Sequence, residues 1–430
     1  MRAAFLILLA LTCAPLGACA LCAREVDCTT LRGKWLAGYQ AWACTPNDAA
    51  KTNWKHYAAG GPEFNADKLV VDMFPDVSEY AEGDKVYLKG IKNADGSPAA
   101  LVSGNNPNVI DLHFKWMRDY DIDGVFLQRF LIGLPGQREG GEFEVKNKIM
   151  DCVAASAKKY GRVWAINFDP PGVAAEDLFE VITSEWKRMV DLGYTSLEKR
   201  YLHHEGLPVV HIWSVTAPDR VRKTSPELAQ KLLEFFSREG KYRAFFVAGT
   251  MWNWAREREG KWRDFYGNVR AIVPWNIGNV SKNSKGEFGA SRSFWAEDKR
   301  LCESLSMMWI PTVYPGFSWI NLHKTARDPQ TTQSRYDRRG GYFLWEQLRD
   351  LSILKPDCVF LAMFDEVDEG TALFKINPKP PRELNLVGTD GLPSDWWLRL
   401  IREARRLGDL GEVLPEKIPL EADFKQNKNL

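Results

Sequence analysis

Short apolar runs rich in branched and aromatic residues alternate along this chain with longer amphipathic stretches. From residue 30 onward the runs fall at Trp35–Tyr39, Gly124–Arg129, Val163–Phe168, Val209–Trp213, Ala244–Gly249, Ala271–Trp275, Trp309–Val313 and Val359–Phe364. Each reads as a continuous apolar segment rather than an alternating one, the pattern of a strand covered on both faces. Between them lie helical patterns such as Val145–Tyr160, Ala175–Leu192, Pro226–Gly240, Phe294–Ser306 and Tyr342–Leu354. Strand followed by helix, repeated through the chain, predicts the α/β class and a single (β/α)8 TIM barrel.

One segment interrupts the rhythm. Residues 44–107 are rich in Gly, Asn and Pro and contain KLVVDMFPD, itself strand-like. They read as a long insertion after the first strand that packs over the barrel mouth; were KLVVDM a barrel strand, the count would shift by one. Near the C-terminus DWWLRLIREARRLGDL is an amphipathic helix placed to close the barrel, and residues 416–430 form a polar tail. No internal repeat or linker divides the chain, so residues 21–415 read as one domain.

The first 20 residues, MRAAFLILLALTCAPLGACA, carry one positive charge, a short apolar run and an A-x-A-like end. They read as a secretory signal peptide, which implies a secreted or periplasmic protein. The alternative is a lipoprotein anchored through Cys19. The apolar run is too short to span a bilayer, and no later segment approaches that length. Export permits disulfides. Cys22 and Cys28 lie near the mature N-terminus with Cys44 as a candidate partner for one of them, while Cys152, Cys302 and Cys358 sit in apolar patterns that suit buried thiols. Past the expected cleavage after Ala20 no C-x-x-C pair or His-rich spacing appears, so neither a metal site nor a cofactor is expected. The net charge of +1 gives no basic stripe for a nucleic-acid partner. Aromatic residues reach 12%, with 17 Trp, which suits a sugar-binding cleft as well as a core.

Barrels of this kind carry their active sites at the C-terminal ends of the strands. The residues found there are Tyr39, Gln40 and Trp42; Gln128 and Arg129; Asp169; Trp213; Trp252; Trp275; and Tyr314 and Trp319. An apolar wall with a few polar groups is the make-up of a saccharide site, and these are the candidate substrate-binding residues. Each also has a plain structural reading. Trp252 and Trp254 could pack under loops, Arg129 could neutralise nearby acids, Asp169 before Pro-Pro could form a turn, and Asp72 could make a turn or reach over the site. His211, inside a strand pattern, reads as a core histidine.

The last strand opens into LAMFDEVDEGTALFK, with Asp365, Glu366, Asp368 and Glu369 at the mouth of an apolar run. A solvated loop would not normally start from so apolar a strand. Residues three apart approach to about 5–6 Å only if the chain turns helically, and Gly370 permits a bend. Two carboxyls flanking one bond are the equipment of a glycosidase, about 5–5.5 Å apart in a retaining enzyme and wider in an inverting one. Crowding raises one pKa and keeps one acid protonated near neutral pH.

DEVDEGT resembles the N-E-W-x-E-G-T motif of glycoside hydrolase family 99, the endo-acting α-mannosidases and α-mannanases, and of its relatives in family 71. GYQAW, IDGVFLQRF and VYPGFSW extend the resemblance over residues 30–405, and together they are similar to a secreted bacterial branch of that superfamily. The resemblance implies that Glu366 is the general base, taking the proton of the substrate 2-hydroxyl so that this oxygen attacks the anomeric carbon. It implies that Glu369 protonates the leaving oxygen and later activates water, giving retention without a glycosyl-enzyme bond. Asp365 stands at the motif's Asn, as a support for the pair or a hydroxyl contact. Val367 replaces the motif's Trp, and Ala372-Leu373-Phe374-Lys375 replaces its acidic continuation, which leaves the sugar open between an α-mannan and another α-linked polysaccharide. Two other classes share these features: a non-catalytic cell-surface glycan-binding barrel, and a polysaccharide lyase working in the same cleft.

Overall fold

Eight parallel strands close on themselves in the computed structural model, which describes residues 24–48, 50–137, 142–216, 224–257, 260–323 and 335–420. They are β1 (Lys34–Tyr39), β2 (Gly124–Phe130), β3 (Val163–Asp169), β4 (Leu207–Ile212), β5 (Phe245–Met251), β6 (Ala271–Trp275), β7 (Met308–Trp309 and Thr312–Val313) and β8 (Cys358–Leu361). The sheet begins and ends on the two halves of β7: the first pairs with β6 and the second with β8. Pro311, which has no N–H to give a ladder, separates the halves. The Ile310 N–H still reaches the Ile272 carbonyl and the Pro311 carbonyl still receives the Phe360 N–H, each at 3.0 Å. Pairing of β8 with β1, Lys34 opposite Cys358, completes the ring.

Seven of the eight strands fall on the predicted runs to within a few residues. The eighth stops at Leu361, short of the expected Phe364, and the Ala362–Met363 peptide that follows is cis. Met363 crosses the end of β1 so closely that a Cβ on Gly38 would lie 2.2 Å from its sulfur, so any larger residue there would have to displace the methionine side chain. Helices α1 (Pro107–Asp119), α2 (Phe143–Tyr160), α3 (Leu178–Asp191), α4 (Pro226–Ser237), α5 (Arg263–Asn268), α6 (Trp295–Ser304), α7 (Tyr342–Leu354) and α8 (Trp396–Asp409) are interleaved with the strands. Their starts follow familiar chemistry: the Asn106 and Ser225 side chains accept from backbone N–H groups of the first turn, each with Pro at the next position.

The insertion after β1 contributes no barrel strand. KLVVDM enters by a 3-10 turn at Ala66–Lys68 and runs as an extended strap, with Leu69, Val71, Met73 and Phe74 buried. The Asp72 N–H donates to the Val367 carbonyl at 2.9 Å, and the Asp72 carbonyl accepts from Val387 at 2.7 Å. The strap therefore lies across the segment that follows β8, over the mouth, as its sequence suggests. Helix α8 closes the opposite end, where Arg405 donates to the Gly33 carbonyl and ion-pairs with Asp123 at 3.1 Å. Cys28, Cys44, Cys152, Cys302 and Cys358 carry free thiols, so Cys44 does not pair with Cys28. Residues 1–20, with Cys19, and Cys22 lie outside the described residues, as do residues 421–430 of the tail. No helix among the described residues is long and apolar enough to cross a membrane.

Candidate active site

Strand geometry sorts the predicted residues by parity. Successive side chains point to opposite faces, so one residue at a strand end enters the barrel mouth and its neighbour packs against the helices. Gln40, Gln128, Asp169, Trp213 and Trp275 point inward and, with Trp42, Trp252, Trp319, Glu366 and Glu369, line one cleft of about 650 Å³. A smaller cavity of about 260 Å³ behind Trp42 and Phe130 holds neither acid of the pair.

Three predicted contacts are corrected by the same rule. Tyr39 faces α1, fully buried, with its hydroxyl 2.9 Å from His113 Nδ1. Arg129 faces α2 and α3, ion-paired to Glu185 at 2.7 Å, with its Nη2 donating to Asn147 Oδ1 at 2.8 Å. It neutralises Glu185, not the acidic run. Tyr314 turns away into a satellite cluster, its ring edge-on to Phe343 and its hydroxyl donating to the Asn279 carbonyl at 3.1 Å. Trp42 does reach the cleft, but His56 and Phe130 stack on its two faces at centroid distances of 3.7 and 4.7 Å. With both faces covered it offers the cleft no stacking platform. Trp254 is core, against Tyr266. His211 is a buried histidine within the barrel, its pKa pushed down to about 3 by burial.

The acidic run turns at residues 367–370 and brings Glu366 and Glu369 to the same cleft. Gly370 has φ +64°, and a Cβ there would lie 2.9 Å from the Ser318 nitrogen. That close approach lets the Ser318 N–H donate to the Glu369 carbonyl at 2.8 Å, pinning the turn to the segment after β7. Gln40 Nε2 donates to Glu366 Oε1 at 3.1 Å, and the Thr371 hydroxyl lies 3.5 Å from Oε2. The Trp319 indole faces Glu369 and eases its ionisation, without closing a hydrogen bond of regular geometry. Asp365 stays out of the cleft and receives the backbone N–H groups of Gln40 and Ala41 at 3.0 and 2.7 Å, tying the end of β1 to the end of β8. Asp368 meets His56 Nδ1 at 3.4 Å. Val367, at the position of the motif's Trp, is turned into the core.

Burial is the largest influence on every shifted acid here. It pushes Asp365 up to about 7 against the pull of its backbone donors. Glu369 is pushed up to about 7 by burial and then by the charge of Asp368. Glu366 is held well above the carboxylate range by burial, then by Glu369 and Asp368. Two interacting carboxyls of this kind titrate as a unit and retain a proton between them near neutral pH. Around them the buried atoms Gln40 Oε1, Gln128 Oε1, Trp42 Nε1 and Trp319 Nε1 have no hydrogen-bond partner in the protein, a set of donors and acceptors that hydroxyl groups would satisfy. Among the described residues no three His, Cys, Asp or Glu side chains converge as a metal site.

These shifts set a pH dependence of stability. Asp72 is also pushed up, to about 6, and Asp298 to about 7, both chiefly by burial. A folded-state value above the unfolded one means the fold keeps protons that the unfolded chain has released. The stabilisation is complete below about pH 4 and is lost as the pH rises through the folded values. His113 and His211, pushed down to about 3, act in the opposite sense, but only below the unfolded histidine value of about 6.5. From about pH 6.5 to 8 the carboxyls dominate, and Tm is expected to fall. Calorimetric scans across that interval check it; a flat or rising Tm would refute the buried-acid assignment.

The candidate set left out Phe130 and Phe317, although both stand at strand ends, as well as Tyr336, Ile277 and Asn279, and all five line the cleft. Phe130 follows by parity from Gln128, one turn of alternation away. His56, stacked on Trp42 and paired with Asp368, lies in the insertion and has no signal in sequence.

No family model matches the chain. It is 31% identical over 296 residues to a glycoprotein endo-alpha-1,2-mannosidase of Rattus norvegicus, covering 68% of this chain and 58% of that one. A glycoprotein endo-alpha-1,2-mannosidase-like protein of Mus musculus is 31% identical over 118 residues, 27% of this chain and 24% of its own length. The chain thus spans less than two thirds of the length of these curated relatives. Among solved structures, the GH99 endo-alpha-mannosidase of Bacteroides thetaiotaomicron superposes with a TM-score of 0.64 at 14% identity, covering 89% of this chain and 99% of that one. Its complex with bis-tris propane gives the same TM-score at 15% identity. At that identity the likeness establishes the shared fold.

Proposed function

The chain is a member of a family related to glycoside hydrolase family 99, and from that premise we propose that it is a retaining, endo-acting glycosidase that cleaves an α-linked mannan. The observation that carries the reading is the pair Glu366 and Glu369: one buried and one half-buried carboxyl at either end of a short bend, both opening onto a cleft walled by Trp213, Trp252, Trp275 and Trp319. The relatives' names supply the sugar and the α-linkage. Glu369 is the acid that protonates the leaving oxygen and later draws the proton from water. Glu366 accepts the proton of the 2-hydroxyl, whose oxygen then closes on the anomeric carbon.

Both carboxyls are raised, and the pair retains a proton near neutral pH. A leaving oxygen that accepts a hydrogen bond from Glu369, together with a 2-hydroxyl that donates to Glu366, favours the proton on Glu369 and sets both groups in their working forms. Asp365 serves by fixing the backbone from which Gln40 grips Glu366. We propose separately that the protein is exported, a reading that rests on the sequence of residues 1–20 alone.

The test is release of reducing ends from a panel of α-mannans, α-glucans and sulfated polysaccharides. New ends from α-mannan are expected. Silence across the panel sinks the reading, and products absorbing in the near ultraviolet would point to a lyase instead.

A further inference from the structure

The wall of the cleft does not stop at its rim. Trp319 faces Glu369, and its ring meets Phe317 at a centroid distance of 5.0 Å. Phe317 stacks on Tyr336 at 6.1 Å with an interplanar angle of 28°, and Tyr336 meets Phe288 at 5.1 Å. The first three line the cleft. Phe288 lies beyond it, 40% exposed, one of a small set of large apolar side chains left open to solvent among the described residues.

Two antiparallel strand pairs carry the series: Val280–Lys282 with Phe288–Ala290, after β6, and Phe317–Ser318 with Arg335–Tyr336, after β7. Both are braced. Asn283 Oδ1 accepts from the backbone of Lys285 and Glu287 at 2.9 and 3.0 Å, which closes the first turn. Glu287 pairs with Arg339 at 3.4 Å, tying that tip to the chain that follows Tyr336. Lys282 holds its ammonium over one face of the Phe288 ring, 4.9 Å from the centroid, a donor set against the aromatic surface. A fixed, exposed aromatic ring loses little entropy when it is covered, and a neighbouring N–H group seeks a hydroxyl.

We propose that the series from Trp319 to Phe288 is a track for successive sugar rings of a polymeric glycan, extending the binding surface past the rim of the cleft over Tyr336 to Phe288. This rests on the glycosidase reading of the cleft. The occupant is the same uncharged α-linked polysaccharide: its pyranose rings offer flat C–H faces to Tyr336 and Phe288 and their hydroxyls to Lys282. Phe317, almost wholly buried, backs the track from beneath.

Phe288→Ala tests it, compared with the parent protein on a long α-mannan and on a short α-mannooligosaccharide that ends inside the cleft. The ratio of kcat/KM for polymer over oligosaccharide is expected to fall about three- to tenfold, the scale of one aromatic contact, and Phe288→Trp to restore it. An unchanged ratio overturns the track and leaves the glycosidase reading standing. If the parent protein cleaves neither substrate, that reading fails separately. The track is then judged by electrophoretic retardation in gels containing each polysaccharide of the panel: retardation of the parent that Phe288→Ala loses supports it, and equal or absent retardation overturns it.

Discussion

Replacing Glu369 by glutamine is expected to lower kcat on α-mannan by about 10²–10⁴-fold, the usual contribution of a positioned general acid–base group. Glutamine keeps the shape of the side chain and a donor toward the leaving oxygen, so glycan binding should survive. What disappears is the transferable proton. A second consequence follows from the pairing. Part of the upward shift of Glu366 comes from the charge of Glu369, so in the variant Glu366 should ionise at a lower pH. Residual activity should therefore lose its alkaline limb while the acidic limb moves downward. Initial rates across pH, beside affinity electrophoresis of the same preparations, check both. Binding and turnover lost in equal measure would remove Glu369 from the acid role and leave it a structural acid of the turn.

The strands were legible because each is buried on both faces, and continuous apolar runs of that kind leave few alternatives. The β7 strand shows where this fails: Ile310-Pro311 sits inside a run that reads as one strand, yet proline divides it into two segments that pair with different neighbours. The acidic run was legible for a different reason, since four carboxyls beside an apolar strand make no sense unless they are held there. What sequence could not supply was the side on which each strand end presents its residues. Tyr39, Arg129 and Tyr314 were read as site residues because they end strands, and each lies on the outward parity or turns into a local cluster. Trp42 needed tertiary knowledge of another kind. Its position was right, but both faces are covered by residues distant in sequence, His56 from the insertion and Phe130 from β2. Asp365 shows the reverse: its neighbours suggested chemistry, and its two backbone donors assign it to the frame that holds the chemistry in place.

Arg129 offers the sharpest contrast between a strand-end residue and a site residue. Its guanidinium is enclosed between α2 and α3, with a side chain 2% exposed against a Glu185 side chain 4% exposed. Burial pulls its pKa down to about 10, against the attraction of Glu185. Arg129→Met should fill the same volume yet leave Glu185 short of one counter-charge. Removing one partner of a buried pair costs about 3–5 kcal/mol. Here the lower end applies, because Arg188 still donates to both Glu185 oxygens at 2.7 and 2.8 Å. A loss of about 3 kcal/mol is therefore expected in denaturant unfolding, with KM for α-mannan unchanged in the folded protein. Adding Glu185→Gln should recover part of the loss, since the stranded charge rather than the missing contact accounts for most of it. A raised KM at an unchanged unfolding midpoint would return Arg129 to the substrate and show that strand parity had misplaced it.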